Sequence, residues 1–433
     1  MTAAARPGQP PRLTAILACR NAAPTLGRLL EHLARQGAET IVMDHGSTDD
    51  TPAIARAHLG APVTRIVDHP FDGVFDLTRQ LRLKREIIRG LGGEGWVLHA
   101  DADEFLDSPD GTPLREYLAL WDESGVLAFD CAEYMFLPRN EGEAHDPARF
   151  ETTMRHYLPF RERDPKQRLF RADAPLGMWM RTGGHSISAA PSRIAPVALR
   201  LRHYFALSLD QVRAEYLSRV FAPGDIARRW HGSRMGAVRY QVVAPAGAGF
   251  RSIDAGWSHD GAVTELPLFR PLRAELAPPD SGTQTDLGLV AGPEAVAEMA
   301  AAHLARGLPG LRIARVAAPA AGGPPVLHLL AHPACGAPVD GAGQRDHSEA
   351  WLRRIAFARQ AALAPGARYA ELRAEDVEAD PEALIAAVRG VMLAPPAHAA
   401  GFLARPARPV RAEPFPAAIR AITGALARDL GYV

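Results

Sequence analysis

Two aspartates, Asp101 and Asp103, follow an apolar run of the sequence and are separated by a single alanine. In an extended chain, residues two apart point to the same side, so one divalent cation beyond the strand would meet both carboxylates. One or two protein carboxylates together with phosphate oxygens are the usual ligands of Mg²⁺ or Mn²⁺ on a diphosphate. The spacing therefore predicts a metal site for a nucleotide diphosphate; a strand followed by a solvated acidic turn is the alternative.

The elements that must position these carboxylates alternate between strand and helix patterns. Apolar strand runs occur at 13–19, 40–43, 63–67 and 96–101, and helix patterns at 26–33 and 77–90. This alternation predicts an α/β domain with a parallel sheet and helices on both faces, whose ligands bind outside the carboxyl ends of the strands. Four polar residues fall at those ends: Arg20, Asn21, Asp44 and Asp101.

Three segments, at 17–21, 43–51 and 98–105, together resemble the family 2-like glycosyltransferases of GT-A fold, a Rossmann-like architecture, over about residues 12–240. The resemblance implies a nucleotide-diphosphate sugar donor and a Mn²⁺ or Mg²⁺ cofactor. It implies further that Asp101 touches the ribose or the metal and that Asp103 ligates the metal. The nucleoside would be held by Arg20, Asn21 and Asp44.

Histidines later in the chain are candidates for the remaining roles. In enzymes of this fold a late histidine often completes the metal shell. His203, on a strand pattern at 199–204, is the predicted ligand, and His185, after the Gly-Gly turn at 183–184, is the other candidate. The acceptor hydroxyl must lose a proton to a carboxylate or imidazole. Because the acidic pair usual in the family is absent between 150 and 240, His185 and Asp164 join Asp103 as the predicted catalytic groups, with Asp173 and Asp225 also available as bases. A hydrogen-bonded core histidine and a turn residue are the alternatives for His203 and His185.

The expected reaction is an inverting, single transfer of a sugar to a glycan, a lipid-linked acceptor or a small molecule. Processive relatives of the family carry a Gln-x-x-Arg-Trp motif, whereas Ile226 stands here in the glutamine position before Arg229 and Trp230. Since that glutamine is missing, the sequence predicts a non-processive enzyme.

Composition sets the broad class. The chain has 433 residues, 47% of them hydrophobic, which is enough for two or three ordinary domains. Its 49 basic and 49 acidic residues balance, which gives no reason to expect nucleic acid as a partner. Only Lys84 and Lys166 are lysines; the other basic residues are arginines. Three distant cysteines and the lack of a long apolar run predict a cytoplasmic protein without a membrane segment, for which peripheral membrane association stays open.

The predicted organisation is a disordered tail at 1–11, a GT-A domain at 12–240, a linker at 241–285 and a second, smaller, helix-rich α/β domain at 286–433. In this second domain the sequence predicts a buried strand at 326–330 and helices at 293–305, 349–363 and 383–391. Within the latter, residues 369–382 resemble the late part of bacterial sulfotransferases, a similarity that extends over about 325–392. The glycine-rich donor loop of that family is missing, since 279–283 follows no apolar strand and contains an acid. A noncatalytic, sulfotransferase-like remnant is therefore expected. Sulfotransferase activity and a noncatalytic scaffold that binds a glycan or a partner are the alternatives.

Overall fold

The computed structural model describes the N-terminal half of the chain almost continuously and the C-terminal half in segments. The described residues are 10–228, 230–231, 240–245, 247, 249–271, 287–291, 300, 313–315, 326–330, 341–363, 367, 369–379, 383–384, 387, 423, 426–428 and 430. The chain divides into two compact units. The first comprises Met1–Phe71, Asp76–Leu209 and Val243–Leu268, and the second comprises Asp72–Phe75, Asp210–Val242 and Phe269–Val433.

Strands and helices are numbered here in chain order. The strands are β1 (Leu13–Cys19), β2 (Glu39–Asp44), β3 (Val63–Asp68), β4 (Trp96–Asp101), β5 (Glu104–Asp107), β6 (Ala128–Phe129), β7 (Cys131–Phe136), β8 (His156–Phe160), β9 (Leu169–Arg171), β10 (Leu199–Tyr204), β11 (Tyr240–Val242), β12 (Arg251–Ser252), β13 (Phe269–Pro271), β14 (Leu287–Ala291), β15 (Ile313–Arg315), β16 (Val326–Leu330) and β17 (Tyr369–Arg373). The helices are α1 (Ala23–Arg35), α2 (Thr51–Ala57), α3 (Leu77–Gly90), α4 (Leu114–Ala119), α5 (Phe150–Thr153), α6 (Gly177–Arg181), α7 (Leu209–Tyr216), α8 (Pro223–Ala227), α9 (Gly341–Ala362) and α10 (Ala374–Ala379).

The first unit is built on a six-stranded sheet of order β3-β2-β1-β4-β9-β6. Its first four strands are parallel, whereas β9 runs antiparallel to β4 and β6 antiparallel to β9. The predicted α/β architecture is confirmed in this part of the chain. Cys19 is paired with Asp44 and Ala18 with Asp101, so the two acids flank the carboxyl end of β1.

Local sequence explains the two long helices of this unit. Helix α1 has a proline in its first turn, where the missing N–H costs nothing, and buries four leucines: Leu26, Leu29, Leu30 and Leu33. Helix α3 begins where the carboxylate of Asp76 accepts a 2.8 Å hydrogen bond from the backbone N–H of Arg79. Both helices therefore form where the apolar spacing predicts them.

A second, mixed sheet of order β12-β8-β7-β10-β5 belongs to the same unit. Strand β10 runs parallel to β7, with Leu201 opposite Glu133 and His203 opposite Met135. Because side chains alternate between the faces of a sheet, Glu133 and His203 lie on one face, and Tyr134 and its neighbours lie on the other. The register thus places an acid and an imidazole side by side.

The second unit contains a four-stranded parallel sheet of order β15-β14-β16-β17. In the same unit, Arg213 of α7 donates to Glu349 of α9 at 2.5 Å, and the side chain of Gln360 exchanges hydrogen bonds with the backbone of Phe221. The predicted strand at 326–330 is confirmed by β16, and the helix expected at 349–363 is part of α9. The sulfotransferase-like class of this region is not confirmed.

Several expectations for the C-terminal half fall on residues outside the described ones. These are the segment 279–283, which lacks the features of a donor loop, all of the predicted helix at 293–305 except residue 300, and most of the predicted helix at 383–391. The expected tail at 1–11 is described only from residue 10.

The sequence predicts a linker at 241–285, but the described residues within 241–271 include strands and buried side chains. Strand β12 pairs with β8, and the ring of Trp257 stacks on Tyr157 at 5.3 Å. Val242 and Leu268 are buried. Gly, Ala and Pro dominate the local composition, which hides these few apolar contacts from sequence reasoning. The domain boundaries at 240 and 286 stay a prediction.

Among the described residues, no helix combines the length and the apolar character needed to cross a bilayer.

Candidate active site

Two loops at the carboxyl ends of β1 and β2 are tied together by hydrogen bonds. The backbone N–H of Asn21 donates to Ser47 Oγ at 3.0 Å, and the Asn21 side-chain oxygen accepts from the N–H of Thr48 at 2.8 Å. Asn21 has a φ of 51°, a left-handed conformation that asparagine tolerates better than most residues. The contacts hold this conformation and join the two loops into one surface.

Arg20 and Asp44 belong to the same surface. The guanidinium of Arg20 lies 3.7 Å from the ring centre of Phe71 and donates to the carbonyls of His45, at 3.1 Å, and Gly46. The carboxylate of Asp44 accepts from the N–H of Ser47 at 3.3 Å. The structure therefore brings together Arg20, Asn21 and Asp44, the three residues predicted to hold the nucleoside.

The two aspartates of the central motif do not lie on one continuous strand. Strand β4 ends at Asp101, and residues 102 and 103 form a turn before β5 begins at Glu104. The extended spacing assumed from the sequence is broken because the chain leaves the first sheet here and enters the second. Each aspartate consequently has its own set of partners.

Asp101 is neutralised by basic side chains. Arg168 donates to its Oδ2 at 2.7 Å, and the buried ammonium of Lys84 lies 4.0 Å from its Oδ1. Burial alone would raise the pKa of Asp101, but Arg168 and then Lys84 outweigh it and hold the pKa well below its usual range. Asp101 is therefore an ionised carboxylate whose charge is balanced from within the protein.

Asp103 faces a histidine instead. Its Oδ2 lies 3.2 Å from Nε2 of His203, and Nδ1 of the same ring lies 2.5 Å from Oε1 of Glu133. Burial would lower the pKa of His203, but Asp103 and then Glu133 raise it to about 10. At neutral pH the ring is an imidazolium that donates one N–H to each carboxylate.

Behind these groups lies a buried network that sequence reasoning missed. Lys166 Nζ is 2.9 Å from Oε1 of both Glu104 and Glu133, and Arg168 donates to Oε1 of Glu104 at 2.7 Å. Burial alone would raise the pKa values of both glutamates. Arg168 lowers the pKa of Glu104 to about 2, and Lys166 lowers the pKa of Glu133 to about 2. The sequence did contain one indication of this network. Basic residues at 166 and 168 occur in a strand-like run, and because buried charges require partners, they predict acidic residues nearby.

The residues beside Asp103 fit a divalent ion. One carboxylate oxygen and one imidazole nitrogen, 3.2 Å apart, are donor types that Mn²⁺ accepts, and the ion would replace the Nε2 proton of His203. A second set of potential ligand atoms, from Glu104, Glu133 and His203, lies within 4.8 Å of one another, but the ammonium of Lys166 already contacts both of its glutamates. Of the two positions, the one between Asp103 and His203 is therefore the better metal site.

His185 and Asp164 lie on two neighbouring loops. The carbonyl of His185 accepts from the N–H of Gln167 at 2.7 Å, and Ser186 Oγ donates to the carbonyl of Pro165 at 2.6 Å. Burial, followed by Arg168, lowers the pKa of His185 to about 4, so its imidazole is neutral at pH 7. Asp164 is exposed. The roles of both residues as proton acceptors stay predictions.

Gly184 fixes the loop that carries His185. Its φ is 91°, and its carbonyl oxygen lies 3.1 Å from Nδ1 of the buried His99 on β4. A Cβ at this position would come within 2.5 Å of His99 Cε1. We expect Gly184→Ala to lower the free energy of unfolding by roughly 2–4 kcal/mol, measured by urea denaturation, because backbone strain and the clash add.

The matched control is Gly92→Ala. Gly92 also has a positive φ, 71°, but a Cβ there would meet nothing within 4 Å. Only the backbone cost of about 1–2 kcal/mol should remain. Equal losses in the two variants would contradict a close approach between Gly184 and His99.

Comparison with known proteins gives a match at the same residues. The model of the family described as Glycosyl transferase family 2 matches residues 14–74, which include the Arg20 and Asp44 loops. A curated relative, the lipopolysaccharide core biosynthesis glycosyltransferase LpsC of Rhizobium meliloti (strain 1021), is 34% identical over 113 residues. This match covers 26% of the chain and 38% of LpsC, so the chain spans well under half the length of that relative.

Solved structures give weaker similarities. The TarS 1–349 structure of S. aureus, also solved in complex with UDP, has a TM-score of 0.27 and 15% identity, and covers 52% of this chain and 74% of TarS 1–349. The mannose-1-phosphate geranyltransferase of Thermus thermophilus has a TM-score of 0.21 and 16% identity, and covers 37% of this chain and 50% of that one. Scores of this size do not establish a common fold.

Proposed function

We propose that this chain, whose residues 14–74 carry the family 2 glycosyl transferase signature, is a metal-dependent glycosyltransferase. It takes a sugar from a nucleotide-diphosphate donor and adds it to an acceptor in a single, inverting transfer. The name of the relative LpsC favours an oligosaccharide of the cell envelope as the acceptor. We propose that the transfer takes place on the cytoplasmic side of the membrane, as the sequence predicts.

One observation carries this proposal. The carboxylate of Asp103 and Nε2 of His203 lie 3.2 Å apart beside the carboxyl end of β4, in the same unit as the loops of Arg20 and Asp44. Ligands of parallel sheets bind at that edge. The pair would hold the ion, and the two loops would hold the nucleoside.

The bound ion supplies charge to the leaving diphosphate as its bond to the anomeric carbon breaks. The chain's own residues have complementary tasks. Asp103 would supply a carboxylate oxygen to the ion, and Glu133 orients the imidazole of His203 through its Nδ1. Asp101, with its charge balanced by Arg168 and Lys84, is better suited to hydrogen-bond a ribose hydroxyl than to neutralise a cation.

The acceptor hydroxyl gives up its proton to a base on the second half of the unit. His185 is a neutral imidazole, which is the form that accepts a proton, and its loop is anchored to β4 through Gly184. Asp164 is the second candidate, on the adjacent loop. Comparing His185→Gln with Asp164→Asn would assign the base.

The proposal is tested by thermal unfolding of the full chain with a panel of nucleoside diphosphates and their sugars, with Mn²⁺ or with a chelator. At a ligand concentration about 100 times Kd, binding stabilises the folded protein by about 2.7 kcal/mol, which raises Tm by several degrees in a domain of this size. We expect a rise that requires both a nucleoside diphosphate and Mn²⁺.

Two outcomes would contradict the proposal. A rise with a phosphosulfate donor and with no nucleotide sugar would favour the sulfotransferase alternative. Stabilisation by a glycan alone, without turnover of any nucleotide sugar in the presence of Mn²⁺, would favour the noncatalytic scaffold.

A further inference from the structure

The three side chains Glu104, Glu133 and His203 form a pocket with the chemistry of a cation site. One ligand atom from each lies within 4.8 Å of the others, and both glutamates are more than nine-tenths buried. Two carboxylates and an imidazole suit a divalent transition metal. We call this set the inner pocket; it shares His203 with the Asp103 side of the ring.

A protein group already contacts the inner pocket. The ammonium of Lys166 lies 2.9 Å from Oε1 of Glu104 and 2.9 Å from Oε1 of Glu133, and its side chain is only 5% exposed. An ammonium is a compact point charge, so it can sit between two carboxylate oxygens. Its contacts resemble those of a small bound cation.

The identity of this residue is unusual for this chain. Only two of its 49 basic residues are lysines, and both are buried against the acids of the candidate site. Lys84 donates to the carbonyl of Ala100 at 3.2 Å and lies 4.0 Å from Asp101, while Lys166 contacts the two glutamates. Where the sequence otherwise uses arginine, these two buried positions carry the smaller ammonium.

The inner pocket also has unused ligand capacity. The second oxygen of each glutamate, Oε2 of Glu104 and Oε2 of Glu133, is buried and has no hydrogen-bond partner among the described residues. Lys166, Arg168 and His203 contact only the Oε1 atoms of the two glutamates, so both Oε2 atoms are left without a partner in the described part of the chain. A divalent ion, which takes six or more ligands, could use these oxygens if the ammonium were removed.

We infer that Lys166 is the resident cation of the inner pocket, and that its ammonium excludes a divalent ion from this pocket and confines the ion to the Asp103 side of His203. Lys166 is then a positioning residue that sets how many metal ions the chain binds and where. The position beside Asp103 rests on the proposed function; the exclusion from the inner pocket does not.

The test is the number of Mn²⁺ ions bound by the full chain, measured from the electron paramagnetic resonance signal of free Mn²⁺ during titration. Lys166→Met should bind one more Mn²⁺ than the wild type, held by the carboxylate oxygens of Glu104 and Glu133, while Nδ1 of His203 keeps its proton and Nε2 binds the first ion. Lys166→Arg, which keeps the charge, should bind the same number as the wild type. Lys166→Met combined with Glu133→Gln should lose the added ion, because one of its carboxylates is gone.

The difference in the number of bound Mn²⁺ ions between variant and wild type decides the inference. A folded Lys166→Met chain that binds no more Mn²⁺ than the wild type overturns it. If Lys166→Met and Lys166→Gln fold only when Mn²⁺ is present, the ion has replaced the ammonium and the inference stands. If neither folds even with millimolar Mn²⁺, it is overturned. A wild type that binds no ion would refute the proposed metal dependence, while one added ion in Lys166→Met would still support the inner pocket.

Discussion

Replacing Asp103 with asparagine is expected to reduce sugar transfer by on the order of a hundred- to a thousandfold, the usual effect of removing one group that stabilises developing charge. The asparagine oxygen can still accept a hydrogen bond from Nε2 of His203, so the local geometry is retained. What is lost is the negative charge that attracts the ion. The Mn²⁺ concentration needed for half-maximal activity should therefore rise in parallel, which initial-rate measurements over a Mn²⁺ series would show.

The fold should survive this change. The Asp103 side chain is 28% exposed and lies in a turn, so no buried charge is left without a partner. Asp146→Asn is the matched control, since Asp146 is an exposed aspartate of the same unit that only caps a local turn through the N–H of Ala148. Wild-type rates and an unchanged Mn²⁺ requirement in Asp103→Asn would refute its assignment as the metal ligand.

The parallel half of the first sheet was predictable because its signals are local. Strand β1 and helix α3 have the predicted bounds, since an apolar run and a helical pattern of apolar residues each specify one element. The second sheet was harder to predict. Strand β5 pairs with β10, almost a hundred residues later, and nothing within either segment specifies that partner.

Long-range strand pairing, which the local sequence does not specify, also explains which site residues were missed. Asp44, Asp101 and Asp103 stand at strand ends, where a motif shows them, whereas Glu133 lies inside a strand and resembles an ordinary polar edge residue. Its role follows only from the register that sets it beside His203. The expectation that Asp101 and Asp103 share one extended strand did not hold, because the chain changes sheets between them.

The buried network makes Arg168 the residue whose loss should cost the most stability. Its side chain is 5% exposed and bridges Asp101 and Glu104, each at 2.7 Å. Arg168→Met removes this charge and leaves Glu104 buried without its guanidinium, a kind of change that typically costs about 3–5 kcal/mol. Urea denaturation should show that loss, most of it due to Glu104, because Asp101 is 38% exposed and partly screened by water.

Arg171→Met is the matched control for this variant. Arg171 lies three residues further along the chain, is more exposed, and pairs with Asp122 at the surface. Its loss should cost about 1 kcal/mol or less. Similar losses in the two variants would mean that burial of the Arg168 network contributes nothing beyond an ordinary surface ion pair.

A second substitution separates the cost of an unpaired charge from the loss of a large side chain. If the cost of Arg168→Met comes from leaving Glu104 ionised and buried, Glu104→Gln should restore part of the stability in the double variant, with a coupling of about 1–3 kcal/mol. If the cost is lost packing, the two changes should simply add. Lys166 would still be paired with Glu133 in the double variant, so the rest of the network stays balanced. A coupling near zero would therefore show that shape, and not charge, is what Arg168 contributes to the fold.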